Sequence, residues 1–410
     1  MTCTLENHRA ELASLLKPVF DSLGTQWLPV TSEQLCDRIT SEDTFAVLPI
    51  PAFTNSQMDG YAVRSADLLS AAPDAPVSLP LGFTAAAGDP QLELQPGTAS
   101  PVMTGAMIPA GADTVIPVEE SAAGTFPELV RCGHGTPSGQ AAFTAPSPEG
   151  RFIRPAGVDL QAGALVAPAG TRLAPAMIAA LASSGLSEVP VRRALKVALC
   201  TTGDELSNGQ LAEGQIPDAN SPMLAALLRR HQVEVRTIQL PDDPQGFANA
   251  IDRLQAEVDL IVTVGGISAG AYEVVRQALA ERSGNFHHVA IQPGGPQGYA
   301  QLDDAAVLCF PGNPVSALLS AELFLVPLLR EFNGLPEPRP EQYLLAADAS
   351  SPEHKHQVRR AVIRDGQVTI LDPGSHLVHD LARADALVHI PVGVSQLAAG
   401  QSIETWSMNV

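Results

Sequence analysis

Basic residues are scarce in this chain: 24 lysines and arginines stand against 44 aspartates and glutamates, a formal net charge of -20. That balance argues against nonspecific nucleic-acid binding and against docking on an acidic membrane. It leaves an anionic small molecule open, because a local cluster of donors can hold a phosphate inside an acidic protein. Long apolar runs are missing as well, and none approaches the roughly 20 residues that a membrane-spanning helix requires. The opening MTCTLENHRAELASLL places Glu6 and Glu11 before any sustained apolar stretch, so no secretory leader is expected. Cysteine is sparse and odd in number: Cys3, Cys36, Cys132, Cys200 and Cys309 are scattered, with no Cys-x-x-Cys pair. A disulfide framework and a finger-type zinc site are therefore not expected, and a reduced, cytoplasmic protein is. No internal repeat, heptad array, GxGxxG fingerprint or GK[ST] loop is present. The histidines form no His-x-x-x-His pair, and His287-His288 lies inside an apolar strand, where it reads as core packing rather than a metal site.

What is present is a 410-residue chain with 45% apolar residues, 33 glycines and 35 prolines. That length exceeds what one core usually serves, so two to four domains are expected. The organising stretch is 195–330, where three apolar runs break off into Gly/Pro loops: KVALCTTGDELSNG, VDLIVTVGGISAG and AAVLCFPGNPVSALLS. Buried-looking strands alternating with helix-length segments predict a parallel sheet covered on both faces. In such sheets ligands bind beyond the carboxyl ends of the strands. Strands are expected at 233–239, 260–264, 286–291 and 305–310, and helices at 221–230, 244–257, 272–282 and 315–329. Cys200 and Cys309 end two apolar runs and read as buried thiols.

Upstream, Leu12, Leu15 and Leu16 sit at helical spacing, predicting a helix over 6–20 that ends near Pro18, with a second over 32–39. Residues 75–145 are rich in Pro, Gly, Ala and Thr and read as a small β domain, with strands at 113–117 and 129–132. A helix is expected over 171–184, ended by Gly185. Beyond a Pro/Glu/Arg linker at 334–342, alternating segments around Asp365-Gly366 predict a hairpin and a small β-barrel or sandwich.

The loops carry the chemistry. Thr201-Thr202-Gly203-Asp204-Glu205 follows a buried strand; glycine and threonine donors suit an anion, and paired carboxylates suit Mg²⁺. A helix cap with solvated acids fits the same residues, and Asp242-Asp243 repeats the ambiguity. Gly265-Gly266-Ile267-Ser268 and Pro311-Gly312-Asn313-Pro314-Val315-Ser316 place bends and donors beside helix starts, though a plain rigid turn fits the second equally. Asn55-Ser56-Gln57-Met58-Asp59-Gly60 reads either as a well-capped turn or as a polar site.

Taken with Met103-Thr104-Gly105-Ala106, these loops resemble, in order and spacing over essentially the whole chain, the signature loops of the molybdopterin molybdenumtransferase family, which includes the gephyrin E domain. The resemblance implies a multidomain α/β protein. A segmented N-terminal domain would take 1–44 with 146–186, an elongated β-rich domain 45–145, a three-layer αβα domain 187–334, and a C-terminal β-barrel 335–410. It implies a homodimer whose cleft is shared between subunits, and a candidate partner in the molybdopterin adenylyltransferase. Adenylylated molybdopterin and molybdate would be the substrates, AMP the released product and Mg²⁺ the helper ion. Carried over residue by residue, Asp59, Thr104, Asp159, Glu205, Asp242 and Glu273 take catalytic positions. Gly203, Gly265, Gly266, Ser268, Pro311, Gly312, Asn313 and Ser316 take pterin- and phosphate-binding positions, and Asp59, Asp204, Glu205 and Asp242 metal positions.

The chain departs from the family pattern in its cations. The usual Lys-Pro-Gly-Lys-Pro appears as Gln292-Pro293-Gly294-Gly295-Pro296, Glu273 stands where the family has aspartate, and Val158 replaces a glutamate. A charge-assisted hydrogen bond contributes about 1.5–3 kcal/mol, so losing two weakens the hold on a polyanion by orders of magnitude unless something replaces them. A family member without activity, acting as a dimeric scaffold or a pterin- or nucleotide-binding protein, is the alternative expectation.

Overall fold

The computed structural model describes residues 3–207, 209–267, 273–336 and 339–408. The architecture is multidomain α/β with mixed sheets and a closed five-stranded barrel near the C-terminus. The chain packs as two compact units, one of Met1–Gln26, Asp37–Ile39 and Val191–Val410, the other of Trp27–Cys36 and Thr40–Pro190.

In the second unit, Gly60–Val63 is the middle strand of an antiparallel three-stranded sheet, between Ser100–Val102 and Thr114–Pro117. All four of its residues are buried because its two faces feed different cores. Tyr61 and Val63 pack with Leu68, Ile116 and Phe143, while Ala62 packs with Ala85, Val102 and Val115. This is the two-residue alternation of a strand between two apolar layers. Gly60 is required by space: a Cβ there would lie 2.0 Å from the Ile116 carbonyl oxygen. The helix expected over 171–184 runs Pro175–Ser183, and Gly185 follows it at φ 81°. The expected strand at 129–132 is a single bridge, Thr84 to Arg131.

The first unit opens with the helix Leu5–Asp21, whose start is capped by Thr4 accepting from the Asn7 N–H. Pro18 lies inside this helix instead of ending it, one turn before the stop, where the Ser22 N–H donates to its carbonyl. The helix expected over 32–39 does not form. Asp37 sits at φ 66°, and Arg38 is held by the Arg192 carbonyl at 2.5 Å, so the chain turns there.

The central sheet has six strands: β1 Lys196–Thr201, β2 Glu234–Gln239, β3 Leu260–Val264, β4 Asn285–His288, β5 Pro296–Gln301 and β6 Ala306–Phe310. Their order is β2-β1-β3-β6-β5-β4; the first four are parallel, β5 is antiparallel to β6, and β4 is antiparallel to β5. Successive residues of each inner strand face opposite layers. Val197, Leu199, Val262 and Leu308 pack under the N-terminal helix with Leu12 and Leu16, whereas Ala198, Cys200, Ile261, Val307 and Cys309 pack with Phe247, Ile251 and Leu279. Each fully buried aliphatic side chain contributes about 1.5–3 kcal/mol. Burial also pushes the Cys200 and Cys309 thiols up to about 12, which makes them core groups, as expected.

The closing helix expected over 315–329 is broken into Pro314–Ser320, a π turn at Ala321–Leu325, and Val326–Phe332. Pro327 is the cause, since it lacks an N–H and crowds the carbonyl four residues back. That carbonyl, on Leu323, is taken by Arg9 Nε at 2.7 Å, so the break also anchors the N-terminal helix.

The C-terminal barrel has five strands: β7 Glu341–Leu345, β8 His356–Arg364, β9 Gln367–Ile370, β10 Ala386–Ile390 and β11 Ser402–Ser407. They close in the order β8-β9-β7-β11-β10, with β10 pairing back to β8. The β8–β9 turn is Asp365-Gly366, both at positive φ (50° and 75°), as a two-residue hairpin of this type demands. Ile291–Gln292 adds to the edge of β8, which joins the barrel to the central sheet.

Candidate active-site cleft

Strand order reverses between β1 and β3, so the loops after them diverge and leave a crevice at the carboxyl edge. Thr201 pairs with Val264 and Val264 with Phe310, so the three loops start level. Glycines let them close on one another. A Cβ on Gly312 would meet Gly265 Cα at 3.3 Å, and one on Gly266 (φ 66°) would meet Val275 Cγ2 at 2.8 Å. The resulting open cleft has a volume of about 910 Å³.

Most of the residues expected to bind ligand are brought together here. Gly203, Gly265, Gly266, Pro311, Gly312, Asn313 and Ser316 all line the cleft, with Glu205, Asp242 and Glu273 on its rim. Ser268 lies outside the described residues. The Asp242 carboxyl is held above the ordinary range by partial burial and then by the charges of Asp204, Glu205 and Glu273. Mutual repulsion of this kind is what a bound cation relieves. The carboxylates are not drawn tightly together: among the described residues they form no group whose ligand atoms all lie within 4.8 Å.

No lysine or arginine lines the cleft among the described residues, and the undescribed 268–272, Ser-Ala-Gly-Ala-Tyr, contain none. Gln292 does line it, in the place of one family lysine, and its Oε1 accepts from Gln357 Nε2 at 3.1 Å. At Gly295, the other lysine position, the space is filled: a Cβ would lie 2.4 Å from the His288 ring.

Sequence reasoning missed several groups. Asp218 is buried and holds the start of the helix Asn220–Arg229, accepting from the N–H groups of Asn220 (2.9 Å) and Ser221 (3.0 Å) and from the Ser221 hydroxyl (2.5 Å). Asn220 and Ser221, the first two residues of that helix, are what it grips. Asn220 Nδ2 donates to the Gly312 carbonyl at 2.8 Å, while its Oδ1 is buried without a hydrogen-bond partner on the cleft wall. Ser375, His376 and Val378 of the C-terminal region also line the cleft, and Asn313 Nδ2 donates to Ser375 Oγ at 3.2 Å. Arg360, buried in β8, holds that segment by donating to the carbonyls of Asp372, Gly374 and Leu377. A capping motif of Asp-x-x-Ser type at 218–221 was a local signal available; Asp372-Pro373-Gly374-Ser375 reads locally as a turn, with no sign that its segment reaches the cleft.

In the other unit, Asp59 and Thr104 meet. The Thr104 N–H and hydroxyl donate to one Asp59 oxygen at 2.6 and 2.7 Å, and these bonds hold the Asp59 carboxyl below the ordinary aspartate range. Pairing of Gly60 with Val102 sets the two loops side by side. The preceding turn is self-capped, with Ser56 Oγ donating to the Met58 carbonyl at 2.7 Å. Asp159 is exposed, its N–H donating to the Ile50 carbonyl at 3.0 Å.

Three family models cover nearly all of this chain: the MoeA N-terminal region (domain I and II) over residues 3–185, a probable molybdopterin binding domain over 198–331, and the MoeA C-terminal region (domain IV) over 342–408. The chain belongs to the molybdopterin molybdenumtransferase (MoeA) family. It is similar to molybdopterin molybdenumtransferase 2 of Mycobacterium tuberculosis, 39% identical over 397 residues that span 93% of this chain and 94% of that protein. The molybdopterin molybdenumtransferase of Synechococcus elongatus is 36% identical over 387 residues, 91% of this chain and 92% of its own length. In structure the chain resembles the molybdopterin biosynthesis moea protein of Pyrococcus horikosii, with a TM-score of 0.78, 27% identity and complete coverage of both chains. Membership of this family assigns the chain to molybdenum cofactor biosynthesis, through transfer chemistry of the MoeA type. No helix among the described residues is long and apolar enough to cross a membrane.

Proposed function

We propose that the chain inserts molybdenum from molybdate into adenylylated molybdopterin and releases AMP. The observation that carries this reading is the glycine-closed, acid-rimmed cleft at the sheet's switch point, built on the loops that match the family. In this reading the N–H groups of Gly266, Gly312 and Asn313 and the Ser316 hydroxyl receive the phosphates. The unfilled Asn220 Oδ1 accepts an N–H of the pterin. Asp204, Glu205, Asp242 and Glu273 would hold Mg²⁺, which when bound neutralises phosphoanhydride charge. Asp59, kept ionised by Thr104, stands ready to accept a proton or orient water or molybdate, with Asp159 as a further acid. We read the cleft as shared with a second copy of the chain, which contributes that pair, and the molybdopterin adenylyltransferase as a donor of substrate. The four-domain division at 1–44 with 146–186, 45–145, 187–334 and 335–410 is part of the same proposal.

Purified chain incubated with adenylylated molybdopterin, molybdate and Mg²⁺ is expected to yield AMP and active cofactor. Neither product, together with undetectable ligand binding, would leave the scaffold reading, which the missing lysines favour. Two further outcomes follow from the charge distribution. Without Mg²⁺, Asp242 carries more protons folded than unfolded between 3.8 and its raised folded value, so stability falls as pH rises through that window. Asp242→Asn should therefore raise the Mg²⁺-free thermal midpoint at neutral pH and shrink the rise that Mg²⁺ causes. An unchanged Mg²⁺ response in that variant would take Asp242 out of the ion site. Gln292→Lys, which restores a cation where a side chain already faces the cleft, should tighten substrate binding by about tenfold or more, the value of one charge-assisted bond. Unchanged affinity by titration would mean that the lost lysine is not the limiting defect. Gly295→Lys is the poorer probe, because His288 must move first.

A further inference from the structure

Four side chains with metal-binding atoms meet outside the cleft. His8 and Glu11 stand three positions apart on the N-terminal helix and so share a face. His287 reaches them from β4, and Cys3 from just ahead of the helix cap. His8 Nδ1 and His287 Nε2 are 2.9 Å apart, and Glu11 Oε2 lies 3.7 Å from each. With Cys3 Sγ included, all four ligand atoms lie within 4.8 Å of one another. None of these residues lines the cleft.

The arrangement is held from outside. Cys3 is fixed by its backbone, which bridges to Val289 and accepts the Ala290 N–H at 2.8 Å. The His8 ring stands edge-on to Phe324, with centroids 4.7 Å apart. The Tyr299 ring, on the neighbouring strand, has its centroid 6.1 Å from those of both His8 and His287. Such outer contacts orient ligands and are characteristic of built metal sites.

The donor set decides the ion. One thiolate, two imidazoles and one carboxylate are too soft for Mg²⁺ or Ca²⁺ and match Zn²⁺. Tetrahedral zinc with bonds of about 2.0–2.3 Å places its ligand atoms about 3.3–3.7 Å apart. The Glu11 distances already meet this, the imidazole pair has to open by a few tenths of an ångström, and Cys3 has to close in. An ion there would replace the proton that the two facing ring nitrogens share. We propose that Cys3, His8, Glu11 and His287 form a four-ligand structural zinc site that staples the N-terminal helix to the edge strands of the central sheet. Four protein ligands leave no open position, which marks the site as structural and not catalytic.

Cobalt is the probe, since thiolate ligation of Co²⁺ gives a near-ultraviolet charge-transfer band and tetrahedral geometry gives strong visible bands. The full-length reduced chain, with a native N-terminus and no histidine tag, is titrated with Co²⁺ and then with Zn²⁺. Expected are both band sets, saturation at one ion per chain, displacement by Zn²⁺, and a thermal midpoint that Zn²⁺ raises and a chelator returns. Cys3→Ser should remove the charge-transfer band, and Glu11→Gln should weaken binding by about tenfold or more. Glu11 is exposed and Cys3 is half-buried at the border of the core, and metal-free midpoints matching the parent chain would show that both variants fold. A faint octahedral spectrum without the thiolate band in the parent chain, or a thiolate band that persists in Cys3→Ser, would overturn the proposal.

Discussion

Asp59→Asn should slow AMP release by about a hundredfold or more, the lower end of what a positioned acid or base contributes, while the chain stays folded. The amide keeps an oxygen where the Thr104 N–H and hydroxyl donate, so the loop geometry survives and only the charge is lost. The lowered carboxyl pKa fixes the sign of the stability effect. Ionised Asp59 stabilises the native state above its unfolded value of 3.8, and that contribution is lost as pH falls through the lower native value. The group is largely exposed, so Asn should cost a few degrees of thermal midpoint at most. Glu205→Gln should give the same pattern from the cleft side, since Glu205 is exposed and its charge is one of those that lift Asp242. Single-turnover AMP release and thermal melts on the two variants make the check. Near-full rates in both would remove these carboxylates from the chemistry.

Gly60→Ala, one position away, should do the opposite of Asp59→Asn and damage the fold first. The new methyl would lie 2.0 Å from the Ile116 carbonyl oxygen and 3.0 Å from Pro117 Cα, and both obstacles are backbone of the paired strand. No rotamer change relieves such a contact, so the strands must part. Overpacking of this kind costs about 1–3 kcal/mol, occasionally more. Because Gly60 pairs with Val102, the displacement should also pull Asp59 off Thr104 and reduce turnover. Equilibrium denaturation reads the first effect and AMP release the second. A parent-like midpoint with parent-like turnover would show that the sheet accommodates the methyl and that its register does not position Asp59.

Asp59 and Gly60 belong to a loop whose polar character is plain in the amino-acid order, and other elements differ in how far that order reveals them. Strands β3 and β6 are legible within a residue because each is a short, mainly apolar run ended by glycine or proline. The Asp365-Gly366 hairpin is legible because that dipeptide favours two consecutive positive φ angles. The helix expected over 32–39 fails because Arg38 is claimed by the Arg192 carbonyl, a partner 154 positions away. An unbroken closing helix passes over Pro327, which the sequence shows openly; what makes its break tolerable is Arg9, far off in the chain.

The same division runs through the functional groups. The loop motifs, their order and the missing lysines are covalent facts of the chain, so family and cleft-lining residues can be named from sequence alone. Residue pairings that depend on where distant segments come to rest cannot. Ser375 against Asn313, Asn220 against the Gly312 carbonyl, and His8 facing His287 all join segments whose own composition gives no sign of the partner. Local propensity reports on a few neighbouring residues, whereas strand order and layer packing decide which far-apart side chains share a few ångströms of space.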